Sequence, residues 1–254
     1  MSIKIGNASI DENGKLSGGK VGDQTGREIC TLNWYNRPWN VYLECKDAKI
    51  AKKAASFMNQ ICLNNNYGYD QSQRITGYNA IVKNNNQVAG AKGEFDCSSL
   101  VSSCYKLAGL DISPSHTTSS LRKALLNTGK FVAYTDNKHI ASDDLALIGS
   151  LYLSEGDHVV MALENGKKVN PYPEPTRSIK RGIAGEDVKY VQWELINYGI
   201  KEVVVNGKTQ KLIIDGKCGP ITEAAIKLYQ KKNNLEVDGS CGPLTRASFK
   251  KNKK

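Results

Sequence analysis

One cysteine and one histidine have sequence surroundings that could support nucleophilic catalysis. Cys97 follows Asp96, a residue type that commonly caps helices, and it precedes apolar residues that recur at helical spacing. Sixty-one positions later, His158 opens the run His-Val-Val-Met-Ala-Leu, whose alternation predicts a strand. The unpaired N–H groups of a first helical turn favour thiolate, which is the reactive form of cysteine. We therefore interpret Cys97 as a nucleophile and His158 as its general base.

The remaining cysteines and histidines have weaker claims to a role in chemistry. His116 and His139 are the other two histidines, and both lie in polar segments, although His139 stays open as an alternative base. Cys104 falls two turns after Cys97, where a free cysteine is expected to be a small buried hydrophobic residue. The seven cysteines show no Cys-x-x-Cys spacing and the histidines are scattered. We therefore expect no metal site and no cofactor.

A general base needs a group that holds its second ring nitrogen, and Asn170 is the predicted one. The strand predicted over residues 158–163 is followed by Glu164-Asn165-Gly166, after which the chain is expected to return. A three-residue turn with a left-handed glycine would place Asn170 diagonal to His158 on the same face of a hairpin. A two-residue turn would place it on the opposite face, so the hypothesis requires the longer turn.

The elements that must position these residues belong to an α+β pattern. Apolar periodicity predicts a helix over residues 47–64 and another over 118–127, and short strands are predicted at 145–153 and 158–163. A Gly- and Asn-rich loop is predicted for residues 64–93. Together they indicate one α+β domain over residues 1–176. Within it, residues 22–26 and the Trp-containing segment 34–39 could line a groove, with a purely structural role as the alternative.

A sequence repeat marks a second, smaller domain. Residues 215–222 read DGKCGPIT and residues 238–245 read DGSCGPLT. In each copy Asp-Gly predicts a turn, and Gly-Pro predicts the start of a helix, because proline at the first helical position loses no hydrogen bond. With an amphipathic stretch upstream, the pattern predicts three helices over residues 177–254. Each repeat cysteine is expected to fill the core of its own turn, and the Pro-rich segment 171–176 is the predicted linker.

The positive charge is concentrated in this second domain. Of a net charge of +10, residues 177–254 contribute +8, from 16 Lys and Arg against 8 Asp and Glu. Such a cationic domain favours an anionic polymer as partner. The basic residues are not interleaved with aromatic ones and no nucleic-acid recognition motif is present, so we expect no nucleic-acid partner. No apolar run approaches the ~18 residues of a membrane span, so we expect no stable membrane insertion.

Two resemblances connect these features. The doubled DGxCGPxT pattern, over roughly residues 184–251, resembles the three-helix peptidoglycan-binding module of cell-wall hydrolases, with cysteine in place of an aromatic or aliphatic residue and a Lys-rich insert at 201–211. The stretches GEFDCSSLVSSCYKLAG and HVVMALENGKKVN resemble NlpC-type papain-like cell-wall peptidases and the related cysteine–histidine amidohydrolase/peptidases. This second resemblance implies a papain-like fold with Cys97 as nucleophile, His158 as base and Asn170 as orienting residue. It also implies substrate contacts by Asp96, Ser98 and Tyr78.

The function implied by both resemblances is hydrolysis of peptidoglycan by a phage endolysin-like enzyme. An endopeptidase that cuts within the stem peptide is favoured. The alternatives are an amidase that cuts between muramic acid and L-alanine, and a wall-binding protein without catalysis. The first residues contain no apolar signal core. We therefore expect synthesis in the cytoplasm of a bacterial host without a signal peptide, and action at the cell wall after release.

Overall fold

The computed structural model describes residues 2–252, and the chain divides into two units between Val169 and Asn170. This division lies upstream of the boundary predicted after residue 176, because the Pro-rich segment already packs within the second unit. Glu174, for example, forms ion pairs with Arg246 at 3.9 Å and with Lys250 at 3.0 Å. No helix within residues 2–252 is both long and apolar enough to cross a membrane.

The first unit alternates short strands with helices. Its strands are β1 (Lys4–Ala8), β2 (Ile29–Asn33), β3 (Val41–Cys45), β4 (Tyr67–Tyr69), β5 (Gly93–Phe95), β6 (Phe131–Tyr134), β7 (Leu151–Ser154) and β8 (His158–Ala162). Its helices are α1 (Ala48–Cys62), α2 (Thr76–Lys83), α3 (Cys97–Leu107), α4 (Thr118–Asn127) and the single turn α5 (Asn137–Ile140).

Six of these strands form one antiparallel sheet in the order β2-β1-β8-β7-β3-β6. The side chains of Val159 and Met161 lie on the face that packs against α1 and α3. Those of Val160 and Ala162 lie on the other face, in a cluster with Trp39 and other aromatic residues. Strand β8 therefore carries buried residues on both faces, as expected for an internal strand of a covered sheet.

Several predicted elements match the structure closely. The helix predicted at 118–127 is α4, and the helix predicted at 47–64 is α1, shorter by one or two residues at each end. The predicted loop at 64–93 was incomplete, since it holds β4 and α2. The strand predicted from residue 145 begins only at Leu151, because residues 142–150 form turns that pack on the end of the sheet. The first unit is therefore α+β with an antiparallel sheet.

The second unit contains α6 (Glu186–Asn197), the hairpin β9 (Glu202–Val205) and β10 (Lys208–Lys211), α7 (Pro220–Lys232) and α8 (Pro243–Lys251). The two copies of the sequence repeat share the same hydrogen bonds, because a buried glutamine on the helix before each copy binds the Asp-Gly loop that follows. The side-chain amide of Gln192 donates to Asp215 Oδ1 at 2.7 Å, and the amide of Gln230 donates to Asp238 Oδ1 at 2.7 Å. Each glutamine also accepts from the glycine N–H of its loop at 2.9 Å.

The two repeat cysteines lie in the core of the second unit. Cys218 and Cys241 are free thiols with 2% and 0% exposure, and both belong to one apolar cluster. Residues 179–183 bond to the backbone of both loops: Ile179 pairs with Cys241, and Ile183 O accepts from Cys218 N at 2.8 Å. The predicted insert at 201–211 is the β9–β10 hairpin.

Candidate active site

Cys97 is the first residue of α3, and Asp96 caps this helix as predicted. Asp96 Oδ1 accepts from Ser99 N at 2.6 Å, and Ser99 Oγ accepts from Asp96 N at 2.9 Å, which completes a capping box. The helix buries almost its whole surface, including Leu100, Val101 and Cys104. The thiol is therefore held at the tip of a rigid, enclosed helix.

A guanidinium group fixes this helix start from outside. Arg74 Nε lies 2.8 Å from Asp96 Oδ2, and Arg74 Nη2 donates to Ser98 Oγ at 2.9 Å and to His116 O at 2.7 Å. Asp96 and Ser98 are 7% and 2% exposed. Both side chains are used to build the helix start, and their role as substrate contacts stays a prediction. Tyr78 lies half-buried on α2 against the core, and its substrate role stays a prediction.

The sulfur of Cys97 lies against β8, at the end of its ladder with β1. The ladder between β1 and β8 consists of two pairs, Ile5 with Ala162 and Gly6 with Met161. Beyond them the strands part, and the backbone N–H of Val159 is directed at the Cys97 thiol, as is the N–H of Ser98. The thiol therefore contacts the backbone of β8 one residue after His158.

His158 is held by a residue that the sequence analysis did not identify. Its Nε2 lies 2.9 Å from Asn7 Oδ1 on β1, and both side chains are buried. An amide oxygen only accepts, so Nε2 carries the hydrogen and Nδ1 presents its lone pair. Trp39 stacks on the imidazole with ring centroids 6.1 Å apart. Asn7 thus fixes the tautomer and Trp39 covers the ring.

Asn170, the predicted orienting residue, does not hold this histidine. It belongs to the second unit, where its amide donates to Tyr190 O at 2.9 Å and to Glu194 Oε1 at 3.1 Å. Its Oδ1 accepts from Tyr172 N at 3.1 Å. The prediction of Asn170 as orienting residue is therefore wrong, and Asn7 occupies that position.

The predicted hairpin after β8 fails to form for a local reason. Gly166 N donates to Ala146 O at 2.8 Å, and Lys168 N donates to Asp144 O at 2.9 Å. A Cβ on Gly166 would lie 2.0 Å from Asp143 O, so this position requires glycine for close packing rather than for a turn. The segment after β8 thus runs along residues 143–148 instead of folding back on β8.

The Cys97 thiol and the His158 imidazole lie on opposite faces of strand β8. Cys97 belongs to the helical face of the sheet, whereas His158 projects toward the aromatic face with Trp39. Among the residues that the structure describes, no hydrogen bond joins the Cys97 sulfur to the His158 ring. Catalytic hydrogen bonds are often long or misaligned in free enzymes and tighten when substrate binds.

Electrostatics keeps both groups neutral near pH 7. Burial raises the pKa of the Cys97 thiol to about 12, with a further increase from the Asp96 charge that Arg74 and the N–H groups of Val159 and Ser98 only partly oppose. Burial lowers the pKa of His158 to about 4, and the nearby Arg37 charge lowers it further. Loss of hydration therefore opposes the effect of the helix N-terminus on this thiol, and the thiolate expected from the sequence stays a prediction.

A half-buried arginine and two tyrosines border this site. Arg37 forms an ion pair with Asp157 at 2.6 Å, directly before His158 in the chain. Burial raises the pKa of Tyr35, with Arg37 opposing and the charge of Cys97 adding to it. Burial likewise raises the pKa of Tyr69 to about 12, with Cys97 contributing. The segment 34–39, predicted as a possible groove wall, therefore lies beside the candidate nucleophile and base.

The other histidines have different surroundings. His139 stacks on Tyr134 with centroids 4.0 Å apart, and its Nδ1 lies 2.8 Å from Asp136. His116 contributes its carbonyl oxygen to Arg74 and its ring to Ser120. Within residues 2–252, no three His, Cys, Asp or Glu side chains converge as metal ligands.

Comparison with protein families identifies both units. The model of the endolysin-like domain matches residues 5–169. The chain belongs to the endolysin-like domain family. In this endolysin-like chain a second model, a putative peptidoglycan-binding domain, matches residues 184–248 and indicates peptidoglycan as a partner. The two matches establish an architecture for cell-wall hydrolysis or binding, and neither specifies cysteine chemistry.

Two solved structures are similar to parts of the endolysin-like chain, while no curated protein matches it. The SleB N-terminal domain is 33% identical, over 32% of this chain and 100% of its own, with a TM-score of 0.27. A peptidoglycan-binding protein from Clostridioides difficile, in complex with glutamine hydroxamate, is 25% identical over 41% of this chain and 60% of its own, with a TM-score of 0.26. TM-scores at this level establish no shared fold.

Proposed function

We propose that the first unit is a cysteine-dependent hydrolase of peptidoglycan amide bonds, with a papain-like arrangement of Cys97, His158 and Asn7. One observation carries the proposal. The Asn7–His158 hydrogen bond leaves the lone pair of Nδ1 available, and the thiol contacts the backbone of the adjoining residue Val159. A fixed neutral imidazole one residue away from the backbone that the thiol contacts can act as the base for nucleophilic attack once the two groups are brought together.

The proposed reaction starts with both the Cys97 thiol and the His158 imidazole uncharged. His158 Nδ1 takes the thiol proton as the Cys97 sulfur attacks the amide carbonyl, and the carbonyl electron pair moves to oxygen. The backbone N–H of Cys97 at the start of α3 would stabilise that oxyanion. The imidazolium then protonates the leaving amine as the C–N bond breaks and a thioester remains. Water, deprotonated by His158, attacks the thioester and releases the carboxylic acid and the thiol.

Closure of the thiol–imidazole contact is part of this proposal. Rotation of the Cys97 side chain on substrate binding would bring the sulfur toward the imidazole and toward the substrate carbonyl. Asn7 and Trp39 would keep the imidazole in place meanwhile, since one bonds its Nε2 and the other covers its face. Support by fixed neighbours is what makes a catalytic side chain precise.

Peptidoglycan is the proposed substrate because the same chain carries a peptidoglycan-binding domain. Tethering to an insoluble polymer raises the local substrate concentration. We propose that the enzyme acts at the bacterial cell wall and cleaves an amide bond within the stem peptide. Mass spectrometry of digested walls tests this: free amino groups within peptides indicate an endopeptidase, and free lactyl carboxylates on muramic acid indicate an amidase.

The decisive test compares Cys97→Ala with Cys30→Ala, a matched loss of one thiol on β2. Each full-length variant is added to purified cell walls, and clearing and co-sedimentation are measured. We expect Cys97→Ala to lose clearing while it still sediments with walls, and Cys30→Ala to retain both. Clearing by Cys97→Ala would overturn the cysteine mechanism.

A wall-binding protein without catalysis is the second candidate. The burial of the thiol and its pKa of about 12 favour it. This candidate predicts that the wild-type chain sediments with walls but releases no new amino or carboxyl groups from them. The same digestion experiment therefore separates the two functions.

A further inference from the structure

The loop between β1 and β2, residues 9–28, packs on the first unit through acidic side chains. Four of these carboxylates belong to the loop, one follows β4 and one lies on β5. Five of the six are buried, and within residues 2–252 none of the six forms an ion pair. Burial of a charge is costly unless the charge is paired or hydrogen-bonded. The six residues are Asp11, Glu12, Asp23, Glu28, Asp70 and Glu94.

Three of these carboxylates are fully satisfied by the backbone. Both oxygens of Asp23, of Glu28 and of Asp70 accept hydrogen bonds from main-chain N–H groups, at 2.6–3.3 Å. These three side chains therefore shape the loop and join it to the rest of the unit, and their lone pairs are already used.

The other three carboxylates each keep one oxygen without a donor. Asp11 Oδ2, Glu12 Oε2 and Glu94 Oε2 are buried atoms that accept no hydrogen bond within the described part of the chain. The second oxygen of each loop carboxylate is anchored: Asp11 Oδ1 accepts from two loop N–H groups at 2.9 and 2.6 Å, and Glu12 Oε1 accepts from Lys20 N at 2.9 Å. The orphaned oxygens are thus held in place by their neighbours, and Asp11 as a whole is only 4% exposed.

Two of the orphaned oxygens converge over Gly19. A Cβ on this glycine would lie 2.6 Å from Glu12 Oε2 and 3.1 Å from Asp11 Oδ2, so only glycine leaves room for both. Glu94 Oε2 lies elsewhere, 2.8 Å from where a Cβ on Gly68 would be. Two carboxylate oxygens held this close repel each other, and a cation bound to both would turn the repulsion into attraction.

We propose that Asp11 Oδ2 and Glu12 Oε2 bind a divalent metal ion of the calcium class. Ca²⁺ takes six to eight oxygen ligands, and main-chain carbonyls and water commonly complete a set that contains only two carboxylates. Mg²⁺ requires a nearly ideal octahedron and gives up its water reluctantly, so it fits such a loop less well. Neither cysteine nor histidine takes part, which is why the spacing of those residues gave no sign of the site.

The metal ion would fasten a loop that is packed beside the candidate nucleophile. From this loop Gly18 N donates to Asp70 Oδ2 at 2.8 Å, and Glu28 Oε2 accepts from Tyr69 N at 3.1 Å. Tyr69 in turn lies near the Cys97 thiol. Ion binding therefore stabilises the wall of the candidate active site, and its existence does not depend on the cysteine mechanism.

The test is calorimetric titration of the full-length, EDTA-treated protein with CaCl₂, in the absence of cell walls. Asp11→Asn and Glu12→Gln each remove one charge and keep the oxygen that accepts the loop N–H groups. The matched controls are Asp111→Asn and Glu202→Gln, which make the same changes at exposed acidic residues. Thermal melts of every protein, with CaCl₂ and with EDTA, provide a second measurement.

We expect one Ca²⁺ per chain with a Kd of about 10⁻⁴–10⁻³ M, and Mg²⁺ binding at least about tenfold weaker. Asp11→Asn and Glu12→Gln should each weaken Ca²⁺ binding about tenfold or more, while the controls stay within about twofold. At a Ca²⁺ concentration ten times Kd the Tm of the wild type should rise by about 3–6 °C, and EDTA should reverse the rise. Because this last comparison uses only the wild type, it tests for the ion even where a variant folds poorly.

Four results would overturn the proposal. The first is the absence of both heat and a Tm shift with Ca²⁺ up to about 20 mM. Equal weakening by the loop variants and the controls would show diffuse attraction to surface charge. Binding that survives both Asp11→Asn and Glu12→Gln would place the ion elsewhere. An equal Tm shift with methylammonium chloride would assign the two oxygens to an amino group instead of a metal ion.

Discussion

Replacement of Asn7 by alanine tests the structural assignment of the active site most directly. The Asn7–His158 hydrogen bond spans 2.9 Å, and the two side chains are 4% and 8% exposed. Removing one partner of a buried hydrogen bond costs roughly 1–3 kcal/mol. If that energy holds the imidazole in its productive tautomer and orientation, the barrier rises by the same amount. At about 1.36 kcal/mol per tenfold, kcat should fall by about 5- to 150-fold.

The matched control is Asn170→Ala, the same substitution at the position that sequence reasoning favoured. Asn170 bonds Tyr190 and Glu194 in the second unit, so its loss should lower the stability of that unit and leave kcat unchanged. The assay is the initial rate of release of new amino groups from purified walls at saturating substrate.

A third variant tests how the residue at position 7 sets the pKa of His158. Asn7→Asp would place a carboxylate against Nε2 and raise the pKa of His158 from about 4. The acidic limb of the pH–rate profile should therefore move to higher pH. If Asn7→Ala keeps the wild-type kcat, or if Asn170→Ala loses as much activity, the assignment of Asn7 is refuted.

Three further outcomes are expected. With a pKa of about 12 rather than the usual ~8.5, native Cys97 should react with iodoacetamide at pH 7 about 10³-fold more slowly than in the urea-unfolded chain; an equal rate would contradict the raised pKa, and a faster one would indicate a thiolate. Burial raises the pKa of Glu94 to about 7, so stability is lost as pH rises from about 4.5 to 7. Glu94→Gln should therefore gain up to about 3 kcal/mol over wild type by pH 8 in urea unfolding, and an unchanged difference between pH 4.5 and pH 8 would contradict the raised pKa. Gln192→Ala should destabilise the second unit by about 2–4 kcal/mol in thermal melts followed by circular dichroism, because several buried partners lose their bonds; a loss below about 0.5 kcal/mol would contradict the proposed network.

Local sequence signals predicted local structure well. Asp96 correctly predicted the start of α3, and the alternation of apolar residues after His158 correctly predicted β8. The Gly-Pro pairs marked the starts of α7 and α8. Each of these features depends on interactions within a few residues, such as a cap or a fixed proline φ, and is therefore readable from a short window of sequence.

The partner of His158 was not predictable in the same way. Asn7 lies 151 residues away and meets the imidazole only because β1 pairs next to β8. Nothing in the segment around Asn7 distinguishes it from other asparagines, whereas Asn170 matched a spacing. That spacing presupposed a hairpin, and contacts between Gly166 and the loop at 143–148 determined a different path. Strand order, which needs the whole fold, was the missing information.

The charge state of the nucleophile shows how one residue can have opposed effects. Asp96 begins α3 and so creates the N-terminus whose N–H groups favour a thiolate. Its own negative charge, directly before Cys97, disfavours that thiolate and helps to raise the pKa to about 12. Arg74 reduces this penalty through its 2.8 Å ion pair with Asp96. A thiol that is neutral at rest needs a neutral base, and the same burial that protects the thiol keeps His158 unprotonated down to about pH 4. Loss of hydration therefore keeps the proton on the thiol and off the imidazole in the free protein, and substrate binding has to bring the two pKa values together before the proton can move.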